Sequence, residues 1–308
     1  MKEKEIKIFK QRKISKLRKK EEISFYLFIL PWIIGFFLFS GGPIFATLGI
    51  SLTDWSLFAS PHWSGLSNYT RLFTDPLFYK VFVNTLYYVG GRVALMVTIS
   101  LLAAILLNQK LPGITVFRVI YYLPAVITGV ALSTIFVQLY RPIYGPFAYF
   151  LSKVGVPAPS WLIDEKWAMP ALILMNFWII GPNTVIFLAA LQGIPKTLYE
   201  AGQIDGANFL QQFFHVTLPM LSSITLLITV ITTVESFQVF AEPYILTRGG
   251  PNYSTLVGAL YIYRNAFKYF NLAYACAFAW ILLLIVMAFT GVQFLLSGHW
   301  AYYAARRE

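Results

Sequence analysis

Charge is what this sequence has least of. Aspartate and glutamate number only 13 in 308 residues, and charged residues of both signs make up 12%, against roughly 25% in a soluble globular chain. The shortfall accompanies 58% hydrophobic residues gathered in long runs. Together they exclude an ordinary soluble domain and place the chain in a bilayer. Cysteine is nearly absent. The single Cys276 excludes an internal disulfide and any multi-cysteine metal site. His62, His215 and His299 stand far apart and match no metal-binding spacing. No GxxxxGK[ST] stretch occurs, so the chain carries no P-loop for ATP. DxD, HExxH and Ser/His/Asp arrangements are missing too, which disfavours an integral membrane enzyme. No catalytic residue, metal ligand or cofactor is assigned to this chain.

What the sequence does have is six apolar stretches near the length of about 20 residues that a helix needs to cross a hydrocarbon core. They lie at 24–52, 82–107, 119–140, 168–192, 220–246 and 274–296. The first is longer than a signal-peptide core, and no A-x-A cleavage site follows it. The expectation is an all-α integral membrane protein with six transmembrane helices. There is no internal repeat and no low-complexity segment, so one membrane domain, residues 23–298, follows a basic tail, residues 1–22, and precedes a short tail, residues 299–308.

Lysine and arginine near the span ends set orientation. Residues 1–22 hold ten Lys/Arg and four Glu, and so carry +6 of the net +11. A tail of this kind fits a cytoplasmic segment lying against anionic lipid better than a nucleic-acid contact. The N-terminus is therefore expected inside. Six crossings return the C-terminus inside, beside Arg306 and Arg307. Lys110 and Arg118 put the 108–118 connection inside as well. The outside loops are then 53–81 and 141–167.

One long polar stretch interrupts this apolar chain. "GIPKTLYEAGQIDGANFLQQFFHVTLP", residues 193–219, falls between spans four and five on the inner side. It reads as two short helices and a break. Pro195 suits a first helical turn. Leu198, Ala201, Ile204 and Asp205 share one face at helical spacing. Gly206 interrupts, and Asp205 is placed to cap the second helix. Phe209, Phe213 and Val216 form an apolar stripe on that helix. Ala201, Gly202, Gly206 and Ala207 are small enough to let another backbone come close. The stretch is built like a lever joined to two spans, or else it is an amphipathic hairpin lying on the membrane.

This stretch resembles the EAA loop of binding-protein-dependent ABC importers, in the carbohydrate-uptake branch related to the maltose and glycerol-phosphate permeases. Glu200, Ala201, Asp205, Gly206, Ala207, Phe213, Leu218 and Pro219 carry the match. Gly202 departs from the usual second Ala, and Val216 from the usual Ile. "FVNTLYY" with Asn84 and Thr85, "FRVIYYLPAVI" with Arg118 and Pro124, "FLAALQGIP", and "LTRGGPNYST" with Gly249, Gly250, Pro251 and Thr255 extend the resemblance over most of the chain. The resemblance implies a type I importer permease fold, N-in and C-in, in the bacterial cytoplasmic membrane. It implies a heterodimer with a second homologous permease subunit, two copies of a cytoplasmic ABC ATPase holding ATP and Mg, and an extracellular or periplasmic solute-binding protein. Glu200, Ala201, Gly202, Asp205, Gly206 and Ala207 are then the ATPase-coupling residues. The cargo is a sugar or oligosaccharide. The same machinery carrying glycerol-phosphate or another polyol is the alternative.

Ionisable groups at membrane depth are costly and face protein or water. In "VESFQVFAEPYIL", Glu235, Gln238 and Glu242 stand at i, i+3 and i+7, one helical stripe, and Phe237, Phe240 and Tyr244 add rings. Asn176 and Asn183 lie seven apart in span four, with Gly181 and Pro182 expected to kink the helix between them. Substrate-pathway candidates are therefore Glu235, Gln238, Asn176, Asn183, Tyr244 and Glu242. Helix-to-helix hydrogen bonding is the competing role. Arg92 is the one deeply placed cation. Pairing with an acid such as Glu235, an interfacial cavity and contact with an anionic sugar all remain open for it.

Overall fold

The structure, a computed structural model, describes residues 16–58, 60–109 and 111–300. Most of the basic tail, Lys110 and the C-terminal arginines lie outside the described residues. No strand forms among the described residues; Thr53 and Trp63 make an isolated bridge. Three helices are long and apolar enough to cross a membrane: α1 (Lys19–Ser51), α2 (Pro76–Leu107) and the last helix, whose crossing portion is Leu272–Gly298. Three further crossings exist if each bent helix pair is one span.

The first pair is α3 (Ile114–Val126) and α4 (Gly129–Leu139), bent by 98°. The continuous span read over 119–140 is thus a correction. Pro124 sits in a 3₁₀ turn, Leu123–Val126, after which Ile127 and Thr128 are extended and Thr128 caps α4. The second pair is α5 (Glu165–Ile179) and α6 (Gly181–Gln192), bent by 51° where Gly181 and Pro182 foretold a kink. Pro182 has no N–H to give the preceding turn. Just before the proline, the carbonyl of Ile180 accepts from the Thr184 amide and hydroxyl and from Ser100 Oγ at 3.3 Å, which ties the start of α6 to α2.

Between the second and third pairs runs α7 (Lys196–Ile204). The third pair, α8 (Phe209–Met220) and α9 (Ser222–Phe237), bends by 64°. Span five therefore ends at Phe237 rather than 246, because Gln238 closes the helix and a separate short helix, α10 (Ala241–Leu246), follows. α11 (Gly258–Tyr263) and α12 (Leu272–Trp300) complete the chain.

Two large apolar cores, with a small third cluster of Met96, Ala103 and Ile180, hold the bundle. The larger one gathers Tyr88, Leu132, Phe136, Leu172, Met175, Leu256, Leu260 and Phe278 from α2, α4, α5, α11, α12 and the loop before α11. The smaller joins Leu101, Ala104, Leu107, Phe187, Leu191, Leu221 and Ile228, at the end that carries α7 and α8. Phe28 and Phe39 on α1 are strongly exposed, and none of its most apolar window is buried.

The "FVNT" and "GGPNYST" stretches turn out to be two halves of one clamp. Asn84 Nδ2 donates to the carbonyls of Tyr253 (2.7 Å) and Leu256 (3.2 Å). Thr85 Oγ1 accepts from the Gly258 amide at 2.9 Å, and Lys80 Nζ donates to the Asn252 carbonyl. The start of α2 thus fixes the loop before α11.

Gly181 shows how closely these broken helices cross. A Cβ there would sit 2.6 Å from the Tyr121 carbonyl oxygen and 3.0 Å from Tyr122 Cα, both rigid backbone. We expect Gly181→Ala to destabilise the assembled protein by about 1–3 kcal/mol, the usual cost of overpacking. Thermal unfolding in detergent checks this, and an unchanged midpoint would mean that α3 and α6 are free to separate.

Candidate functional site

The breaks of the first two bent pairs and the end of α9 leave a cleft of about 190 Å³ in the bundle, lined in part by Arg92, Pro182, Asn183, Glu235 and Glu242. Arg92, on α2, is buried. Its Nε donates to Asn176 Oδ1 at 2.8 Å and its Nη1 to Ser236 Oγ at 3.2 Å. Its Nη2 meets Glu235 Oε2 at 3.3 Å. The expected pairing of Arg92 with Glu235 is present, and it ties α2, α5 and α9 together.

The two partners differ in their surroundings. The side chain of Arg92 is 9% exposed and that of Glu235 57%. The cation is thus locked into the bundle while the carboxylate looks outward. Asn176 is fully buried, and its amide also donates to the Leu172 carbonyl at 2.9 Å and to Tyr88 OH at 3.3 Å. It orients Arg92 and does not itself reach the cleft. Asn183 lines the cleft and donates weakly to Thr232 Oγ1 at 3.4 Å.

Glu235, Gln238 and Glu242 are not one stripe, because the helix stops between them. Glu235 closes α9 and Glu242 opens α10, yet the turn folds both onto the same cleft. Gln238 is exposed and does not line it, and Tyr244 faces a different cavity. Ser236, which accepts from Arg92, and Tyr88, one helical turn before Arg92 and bonded to Asn176, went unread in the sequence. Only the packed structure brings Ser236 to Arg92.

The second region is the 193–219 loop. α7 ends in a Schellman turn: Gly206 has φ +78°, its amide bonds the Gln203 carbonyl, and the Ala207 amide bonds the Gly202 carbonyl at 2.8 Å. The cap of α8 is Asn208, not Asp205. Asn208 Oδ1 accepts from the Gln211 amide while Gln211 Oε1 accepts from the Asn208 amide, a reciprocal capping box. The left-handed Gly206 delays the second helix, so Asp205 lies before the turn and its carboxylate stays exposed. The N-x-x-Q spacing was legible as a capping signal.

The loop is seated by Tyr199, Phe213 and Val216, which pack against the smaller core, and by a Tyr199 OH···Thr217 Oγ1 bond of 3.0 Å. Phe209 and Ile204 are exposed, Ile204 at 86%. Ala201, Gly202, Asp205, Gly206 and Ala207 line a cup of about 450 Å³ between α7 and α8. Glu200 is exposed and outside that cup.

The cleft holds polar groups aimed at one another or at open space between broken helices, and no group of acids, histidines or cysteines among the described residues can hold a metal. The chain belongs to the family of binding-protein-dependent transport system inner membrane components, whose pattern matches residues 96–298. It is therefore a permease subunit of an ABC importer. It is 36% identical over 303 residues to the probable ABC transporter permease protein YesP of Bacillus subtilis, covering 96% of this chain and 97% of that one. It is 33% identical to the arabinooligosaccharides transport system permease protein AraP of the same organism, covering 89% and 88%. Among solved structures it is similar to a bacterial ABC transporter involved in the import of the acidic polysaccharide alginate, with a TM-score of 0.79, 25% identity and 92% and 98% coverage.

Proposed function

We propose that this permease imports a sugar or oligosaccharide and is driven through the 193–219 loop by a cytoplasmic ATPase. The observation that carries the drive is the cup lined by Ala201, Gly202, Gly206 and Ala207, seated on the bundle by Tyr199, Phe213 and Val216. A load on that cup is transmitted through α8 to the bend at Leu221 and through α7 to the end of α6. The cleft at Arg92 and Glu235 lies at the far ends of α6 and α9, at Pro182, Asn183 and Glu235, so helices levered by the loop reshape it. A solute shifts the balance of states only so far as it binds one better than the other.

In this reading the chain crosses six times with both ends inside, and it pairs with a second permease subunit. Two ATPase copies hydrolyse ATP, and a solute-binding protein delivers cargo from outside. The carbohydrate cargo is supported by the arabino-oligosaccharide and alginate systems to which the chain is similar. Glu235, Asn183 and Glu242, groups able to bind sugar hydroxyls, face the cleft as pathway residues.

The exposed tip offers a direct test. Ile204→Cys in intact cells should resist a membrane-impermeant maleimide and react in inverted vesicles. Cys276 is buried, so its background is low. Labelling from the outside of intact cells would place the loop on the wrong face and end the coupling reading.

A further inference from the structure

A second cavity, of about 320 Å³, opens beyond the end of α9 remote from the coupling loop. Its lining is Tyr244, Arg248, Tyr263, Arg264, Phe267 and Lys268. It thus holds three cations and three aromatic rings, with no carboxylate. The one ion pair among the described residues is Arg92–Glu235, so these three cations have no acidic partner.

The groups are held in place. Arg264 Nη2 donates to the Arg248 carbonyl, which orients the guanidinium. Tyr244 and Tyr263 meet edge to face at 5.5 Å, and Tyr263 and Phe267 lie tilted by 38° at 5.6 Å. Phe240 stacks on Tyr244 at 5.3 Å. The cavity also communicates with the polar cleft through one element, since α10 gives Glu242 to the cleft and Tyr244 to the cavity.

We propose that this cavity binds the carboxylate of an acidic sugar, a uronic acid unit of an oligosaccharide, before it enters the cleft. The chemistry divides between the two kinds of lining. Aromatic rings accept the apolar C–H face of a pyranose. A guanidinium grips a carboxylate through paired N–H groups, and an ammonium adds a point charge. A neutral sugar would use the rings and leave three cations unanswered. The size falls at the lower end of small-ligand sites, about 300–1,000 Å³, and suits one sugar unit of a longer chain.

This inference rests on the carbohydrate-import reading and sharpens its cargo. The test uses the complete importer purified in detergent, without the solute-binding protein. Calorimetry compares trigalacturonate with its neutral methyl ester. The wild type should favour the acid by about tenfold or more, as two charge-assisted contacts allow, and the preference should shrink as salt rises. In R248Q/K268Q the preference should fall to near unity. Lys268→Glu alone leaves the lining with the same net charge as the double variant and should shrink the preference to a similar degree.

Equal binding of acid and ester by the wild type, or an undiminished preference in the double variant, overturns the proposal. So does a variant that weakens association with the solute-binding protein while leaving trigalacturonate binding intact, since the cations would then read the receptor. Uptake of neutral oligosaccharide, followed in proteoliposomes of the same importer with its solute-binding protein, keeps the two levels apart. If it proceeds, only the acid site has failed. If no oligosaccharide enters, the import reading has failed with it.

Discussion

Gly206→Leu should abolish sugar-stimulated uptake while leaving ATP hydrolysis running. Within this chain the substitution meets nothing: no atom lies within 4 Å of where a Cβ would stand. Its intramolecular cost comes from the left-handed backbone at φ +78°, about 1–2 kcal/mol for any L side chain. Alanine and leucine share that cost almost equally. They differ only in what they present to a partner, since the residue stands at the lip of the cup. Gly206→Ala should therefore leave partial coupling, and Gly206→Leu should leave little, on the order of a 100-fold loss of uptake if about 2–3 kcal/mol of close packing is forfeited. Uptake and hydrolysis measured together in proteoliposomes check this. Equal effects of the two variants would mean that only the Schellman turn matters and no partner docks there.

Gly202 sets the complementary expectation. A Cβ at 202 would make ordinary contact with Gln212 Cγ at 3.7 Å and Ala207 Cβ at 3.9 Å. The alanine common in the EAA pattern fits this chain without adjustment. The departure at Gly202 changes helix propensity and not the shape of the cup.

The legible part of this molecule was whatever depends on local chemistry. Hydropathy marked the crossings, Gly181–Pro182 marked a bend, and the small residues of 193–219 marked the loop. The bend within span three was not legible, because hydropathy is blind to direction. An apolar stretch looks the same straight or folded by 98°, and only Pro124 hinted otherwise. Span five was overextended for the same reason: residues 238–246 are apolar enough to continue a helix, but Gln238 ends it and α10 turns to pack on α4. Glu235 and Glu242 therefore meet at one cleft because a break brings them together, while Gln238 of the expected stripe points elsewhere. The arginine cage was legible only as one possible pair. Its partners on other helices, Asn176 and Ser236, are set by three helices meeting, which no short window of sequence records.

That cage gives the second large effect. Arg92→Ala removes the only donor reaching Asn176 Oδ1, in a residue that is fully buried. An orphaned buried acceptor costs about 1–3 kcal/mol, and the emptied space adds to it. We expect the assembled importer to lose about 2–4 kcal/mol of stability and most of its uptake. Arg92→Lys should recover only part of this, because one ammonium cannot serve Asn176, Ser236 and Glu235 in the fork geometry of a guanidinium. Glu235 should behave otherwise. It is more than half exposed, so Glu235→Ala leaves Arg92 with its two other partners and costs about 1 kcal/mol or less in stability, while uptake falls because the cleft loses an outward-facing acceptor. Thermal unfolding in detergent separates the two, and a double-mutant cycle between positions 92 and 235 gives their coupling. A coupling as large as the whole Arg92 effect would make the ion pair itself the structural tie. A small one would assign the structural work to Asn176 and Ser236 and free Glu235 to meet a solute.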